Sequence, residues 1–203
     1  MSKTLIKFII GFFCFSSSLS AQDFSIFSSE KGNSPYGMDL IQSDEFYNFS
    51  QKNIPDLSFY FGNTKGKKKK SIHNTFNEFL VPGDLILNNK RYYVYQGCRH
   101  QSCSEKAFLW VDKKKEIFMG IIVHYFFDDE ESLNGYFLIV SNKIKSPKDF
   151  PKKFIEEMKK WNLEETVYNF NTGDFAPIKP LKIRFINSSK KEILDITNLN
   201  LLK

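Results

Sequence analysis

Residues 116–127 run from Glu116 through Ile117, Phe118, Met119, Gly120, Ile121, Ile122 and Val123 to His124, Tyr125, Phe126 and Phe127. A strand with one wetted face alternates apolar and polar side chains. A strand that has lost this alternation is covered on both faces and lies inside a sheet. The segment before it, 106–112, and the tyrosine-rich segment 91–96 read as strands by composition. Asp112, Lys113, Lys114 and Lys115 form the turn between 106–112 and the apolar strand, and 136–140 supplies a fourth strand after a polar connection. The expectation is an α+β fold built on a central antiparallel meander over 91–140, with 116–127 in a central place.

Helices are expected to flank this sheet. Ser43, Asp44 and Glu45 offer an N-cap with acids in the first turn, and Ile54-Pro55 stops the helix that follows. Ile72, Phe76, Phe79 and Leu80 recur at helical spacing until Val81-Pro82-Gly83-Asp84. Ser146 and Pro147 open a third helix, whose Phe150, Phe154, Met158 and Trp161 share one face, as core packing requires. Residues 22–42 carry Gly32, Pro35 and Gly37 and read as irregular, 57–61 as an aromatic strand, and 166–170, 181–186 and 193–199 as further strands.

Residues 1–21 stand apart. Lys3 and Lys7 lead into an apolar run over 5–15, followed by serines and Ala21, the order of a secretory signal peptide. Cleavage is placed after Ala21, with Ser20 the alternative. The apolar run is short of the ~20 residues that a membrane span needs, so an uncleaved anchor is the lesser reading, and Cys14 lacks the preceding small residues of a lipoprotein site. The mature chain, 22–203, is expected as one domain with an extended C-terminal region, 128–203, without an integral span, and periplasmic or secreted.

Export decides how the cysteines are read. Loss of the leader leaves Cys98 and Cys103, an even count in a compartment where disulfides persist. They bracket Arg99, His100, Gln101 and Ser102 directly after the strand at 91–96. A bond between them is the default, worth about 2 kcal/mol by chain entropy for so short a ring, so its main effect is on local shape. Zinc is the rival reading, but two cysteines and one histidine make a poor four-ligand site.

The formal charge of +6 falls to +4 without Lys3 and Lys7, and Lys67, Lys68, Lys69 and Lys70 account for all of that excess. Such a run can meet phosphate or anionic lipid; flanked by glycines, it also reads as a solvated loop. The three histidines, His73, His100 and His124, stand in no catalytic spacing, and there is no phosphate loop or nucleophile elbow. His124, inside the apolar strand, reads as a satisfied core or rim residue. The chain is therefore read as a non-enzyme with no cofactor, no metal and no nucleic-acid partner, since the Lys tract lacks interleaved aromatics.

Asn89 to Gly97, the Cys98–Cys103 loop, Phe108-Leu109-Trp110-Val111 and Phe118-Met119-Gly120-Ile121 together resemble the inhibitor of vertebrate lysozyme (Ivy) family. There a strand, a Cys-x4-Cys loop containing a His, a second strand, a turn and a glycine-bearing strand follow in this order. The helix ending at Ile54-Pro55 is similar as well, and the resemblance spans roughly residues 43–127. The family's loop places Pro before its His, three residues after the first Cys; here His100 is second and Ser102 replaces an acid. The resemblance implies a periplasmic α+β protein whose disulfide-closed loop enters the cleft of a lysozyme-like muramidase. A loop histidine there bonds the enzyme's two catalytic carboxylates. On this expectation Cys98 to Cys103 form the inhibitory loop, His100 is the main contact and Arg99 a second donor. The alternative is an exported binding protein of the same fold that engages an anionic envelope or membrane surface through Lys67 to Lys70. Some members of the family dimerise, so a homodimer is among the assemblies the resemblance allows.

Overall fold

The structure, a computed structural model, describes residues 23–60, 68–124, 136–164, 166–169, 174–177, 182–187 and 192–195. The segment expected to be a signal peptide, 1–21, and Lys67 lie outside them, as do 125–135. In chain order the strands are β1 (Ser58–Phe59), β2 (Lys70–Ser71), β3 (Gly83–Asn88), β4 (Tyr92–Arg99), β5 (Ser102–Asp112), β6 (Ile117–His124), β7 (Tyr136–Ser141), β8 (Thr166–Asn169), β9 (Asp174–Pro177), β10 (Lys182–Asn187) and β11 (Glu192–Asp195). The α-helices are α1 (Met38–Ile41), α2 (Asp44–Asn53), α3 (Ile72–Phe79) and α4 (Lys152–Glu164).

Seven strands form one sheet in the order β11-β10-β7-β6-β5-β4-β3. β3 to β7 are antiparallel neighbours, which makes the expected meander, and β6 is the middle strand with all eight residues buried. Its lost alternation has the expected cause. Tyr93, Tyr95, Leu109, Val111, Phe118, Leu138 and Val140 face the N-terminal helices, while Val94, Phe108, Trp110, Met119, Ile121, Phe137 and Ile139 face α4. The period of two along each strand splits the apolar residues between two cores. β10 joins β7 in parallel, a pairing that needs a long crossover. Here the intervening chain carries α4 across one face.

The helix caps follow the sequence. Ser43 accepts from the Phe46 amide at the start of α2, and Ser71 from the Asn74 amide at the start of α3. Two expectations change. Residues 23–42 form 3-10 turns, Phe24–Ser28 and Lys31–Asn33, followed by α1. Phe24 and Phe27 are buried, and each meets Phe49 edge-on at 5.0 Å. The single helix expected from Ser146 is divided into a 3-10 turn, Pro147–Asp149, and α4. Phe150 between them has ψ 129, because the proline ring at Pro151 excludes the helical region for the preceding residue. Phe150, Phe154, Met158 and Trp161 nevertheless share one core.

α2 and α3 are joined by a buried polar contact. His73 Nε2 lies 2.9 Å from Ser50 Oγ and 3.3 Å from the Tyr47 carbonyl, and the Asn77 amide donates to Ser50 Oγ at 3.1 Å. Ser50 is fully buried, so this cluster fastens helices and admits no substrate. Burial holds the His73 pKa below the ordinary histidine value. The folded state thus favours neutral imidazole, and His73 contributes stability that is present above about pH 6.5 and lost as pH falls through its depressed value. Denaturant melts at pH 7.5 and 5.0 are expected to show a loss of stability on acidification that is smaller in His73→Gln. An identical pH response in the variant would remove this role.

Candidate functional site at the β4–β5 hairpin

The Cys98–Cys103 segment is narrower than the six-residue loop that the spacing suggests. Arg99 pairs with Ser102, so Cys98 and Arg99 end β4, Ser102 and Cys103 begin β5, and His100 and Gln101 alone make the turn. Gln101 takes φ 65, the left-handed conformation that tight hairpins require. His100 and Gln101 are exposed, while Cys98 and Arg99 are half-buried.

Below the turn the register jumps. Cys98 pairs with Lys106, although Arg99 pairs with Ser102, so residues 103–105 bulge out of β5. A bulge re-aims side chains, and here Glu105 turns inward until it is only 7% exposed. One of its carboxylate oxygens accepts from Arg99 Nη1 and the other lies 3.3 Å from His124 Nε2. His124 is itself buried and stacks on Phe79 at 5.2 Å. A carboxylate this far from water is stabilised only by partners, and Glu105 has two. Arg99 also reaches Glu78 of α3, its Nε 3.3 Å from Oε1. Arg99 thus ties the hairpin back to the body.

The position of α3 depends on Gly97 and Gly83, which pair across β4 and β3. A Cβ on Gly97 would lie 2.3–2.6 Å from backbone atoms of Leu80, the residue that caps α3. Bare backbone at Gly97 lets the end of α3 settle on the sheet, which brings Glu78 within reach of Arg99.

Lys70 ends the basic tract on β2 and contacts the other oxygen of Glu78 at 3.2 Å. Lys68 and Lys69 are exposed, with the Lys69 ammonium 5.3 Å from the centre of the Tyr60 ring. Glu78 therefore links the two candidate sites, which the sequence leaves 28 residues apart between Lys70 and Cys98.

No protein-family model, curated protein or solved structure matches the chain.

Sequence reasoning missed Glu78 and Glu105, the carboxylates that organise this surface. Glu78 reads as an ordinary polar-face residue of α3, and Glu105 as part of the loop ahead of the strand. Only the bulge turns Glu105 inward, and no local signal marks it. Among the described residues, no group of three or more His, Cys, Asp or Glu is placed to hold a metal ion, and no helix is long and apolar enough to cross a membrane.

Proposed function

We propose that the chain is an exported, non-enzymatic inhibitor of lysozyme-like muramidases that inserts the β4–β5 hairpin into the enzyme's active-site cleft. The observation that carries this reading is a two-residue turn presenting His100 and Gln101 to solvent above a base braced by buried Glu105. A recognition element that is already ordered loses less conformational freedom on binding. Cys98 is disulfide-bonded, and we assign Cys103 as its partner, because it is the other cysteine among the described residues. The imidazole of His100 is the donor toward the two carboxylates that a muramidase cleft presents. Arg99, which the resemblance offers as a second donor, serves instead to hold the tip. Membership of the Ivy family, the leader at 1–21 and a periplasmic or secreted location belong to the same proposal.

Inhibition assays against lysozymes of several classes test it. The mature chain inhibits at least one class, and His100→Ala weakens inhibition roughly tenfold or more, the effect of losing a hydrogen bond to a charged group. Failure to inhibit any class ends the reading, and unchanged inhibition by the variant ends the role of His100.

A second reading draws support from the contact of Lys70 and Arg99 with the same Glu78. The basic tract and the hairpin then form one cationic surface for an anionic envelope partner. It would also slow approach to a basic lysozyme, most strongly at low salt. Charge reversal at Lys68 and Lys69 separates the readings, speeding association with lysozyme under the first and abolishing envelope binding under the second.

A further inference from the structure

The strands that carry the hairpin at one end carry a second basic surface at the other. At that end the connections 89–91, 113–116 and 142–149 lie side by side and hold eight Lys and Arg against two carboxylates. Contacts tie them together: the Lys113 amide donates to the Arg91 carbonyl at 2.7 Å, Lys143 Nζ to the Lys115 carbonyl at 3.0 Å, and the Asn142 amide to the Glu116 carbonyl at 3.2 Å. Lys90, Lys114, Lys115, Lys143, Lys145 and Lys148 are exposed. Of the two carboxylates, Glu116 is paired with Lys143 at 3.1 Å, which leaves Asp149. Outside the leader and the tract at 67–70 the charges of the chain cancel, so a lysine-rich end implies segregated charge rather than a generally basic protein.

We propose that this end of the sheet is a docking surface for anionic lipid headgroups, independent of the hairpin and of the tract at 67–70. The cations offered are ammonium groups, which act as compact point charges; the guanidinium here, Arg91, is committed to buried Asp112 at 3.0 Å. Specific capture of a phosphate or carboxylate favours the fork of a free Arg, and single-stranded polyanions favour exposed aromatics. Point charges at the tips of three connections suit the diffuse field of a bilayer surface, where each adds about a factor of five in binding. β5 alone, with 11 residues, separates the two ends by about 30 Å. A chain docked this way points His100 away from the lipid.

Sedimentation of the mature chain with vesicles tests the proposal. Vesicles containing about a third phosphatidylglycerol are expected to bind it at low salt, more weakly as salt rises, and neutral vesicles not at all. The triple variant K114Q/K145Q/K148Q is expected to lose roughly a hundredfold in partitioning, with K114E/K145E/K148E losing more and K68E/K69E staying near wild type. All these positions are exposed, and unchanged melting temperatures confirm that folding is intact. No binding to anionic vesicles, equal binding by the triple variants, or loss in K68E/K69E alone overturns the proposal. Retention on inorganic polyphosphate without vesicle binding also overturns it, in favour of a soluble polyanion. Muramidase inhibition by the variants reports separately on the hairpin.

Discussion

Gly97→Ala is expected to lower stability by about 3 kcal/mol, near the upper end for overpacking a well-filled core. The new methyl would meet the Leu80 carbonyl oxygen at 2.3 Å, its carbon at 2.4 Å and its Cα at 2.6 Å. These are backbone atoms at the end of a helix, so no side-chain rotamer relieves the contact. Relief would require α3 to lift from the sheet, breaking the burial of Phe76, Phe79 and Leu80. For a chain of this size the loss corresponds to a fall of roughly 10 °C in Tm. Calorimetry on the two proteins checks it, and a shift below about 2 °C would show that α3 is free to move. Because α3 carries Glu78, the proposed inhibition of muramidases is expected to weaken along with stability.

Glu105→Ala is expected to cost about 2 kcal/mol. The change removes the buried carboxylate that Arg99 and His124 share, and deleting one member of a buried hydrogen-bonded charge pair costs more than the pair itself is worth. Arg99 moderates the loss, since its side chain is 40% exposed and keeps Glu78. The second consequence is local: with the brace gone, the hairpin end opens more often, and trypsin cuts after Arg99 faster than in the wild type. A denaturant melt within about 0.5 kcal/mol of wild type, with unchanged cleavage, would show that the cluster does not hold the tip. A double-mutant cycle with Arg99→Ala isolates the pair's own coupling.

Much of the fold was legible because it is written in local periodicities. The apolar run at 116–127 placed a fully covered strand, now β6 in the middle of the sheet, and the repeats of Ile72, Phe76 and Phe79 placed α3. The serine cap Ser43 marked the start of α2, whereas Ser71 shows itself as the cap of α3 only in the structure. The parts missed depend on non-local partners. Phe24 and Phe27 stand in a segment rich in turn residues and become core only because Phe49 and Tyr93 meet them. The parallel pairing of β10 with β7 rests on a crossover that no window of sequence displays.

The hairpin divides along the same line. By itself the sequence determined that two cysteines, an arginine and a histidine stand at the junction of two strands, since composition and turn chemistry act over a few residues. Tertiary structure alone decided which of these side chains faces outward. The shift in register between Cys98 and Arg99 buries Glu105, and a buried carboxylate must draw in cations. Arg99 is therefore turned back toward Glu105 and Glu78, which leaves His100 and Gln101 as the exposed apex.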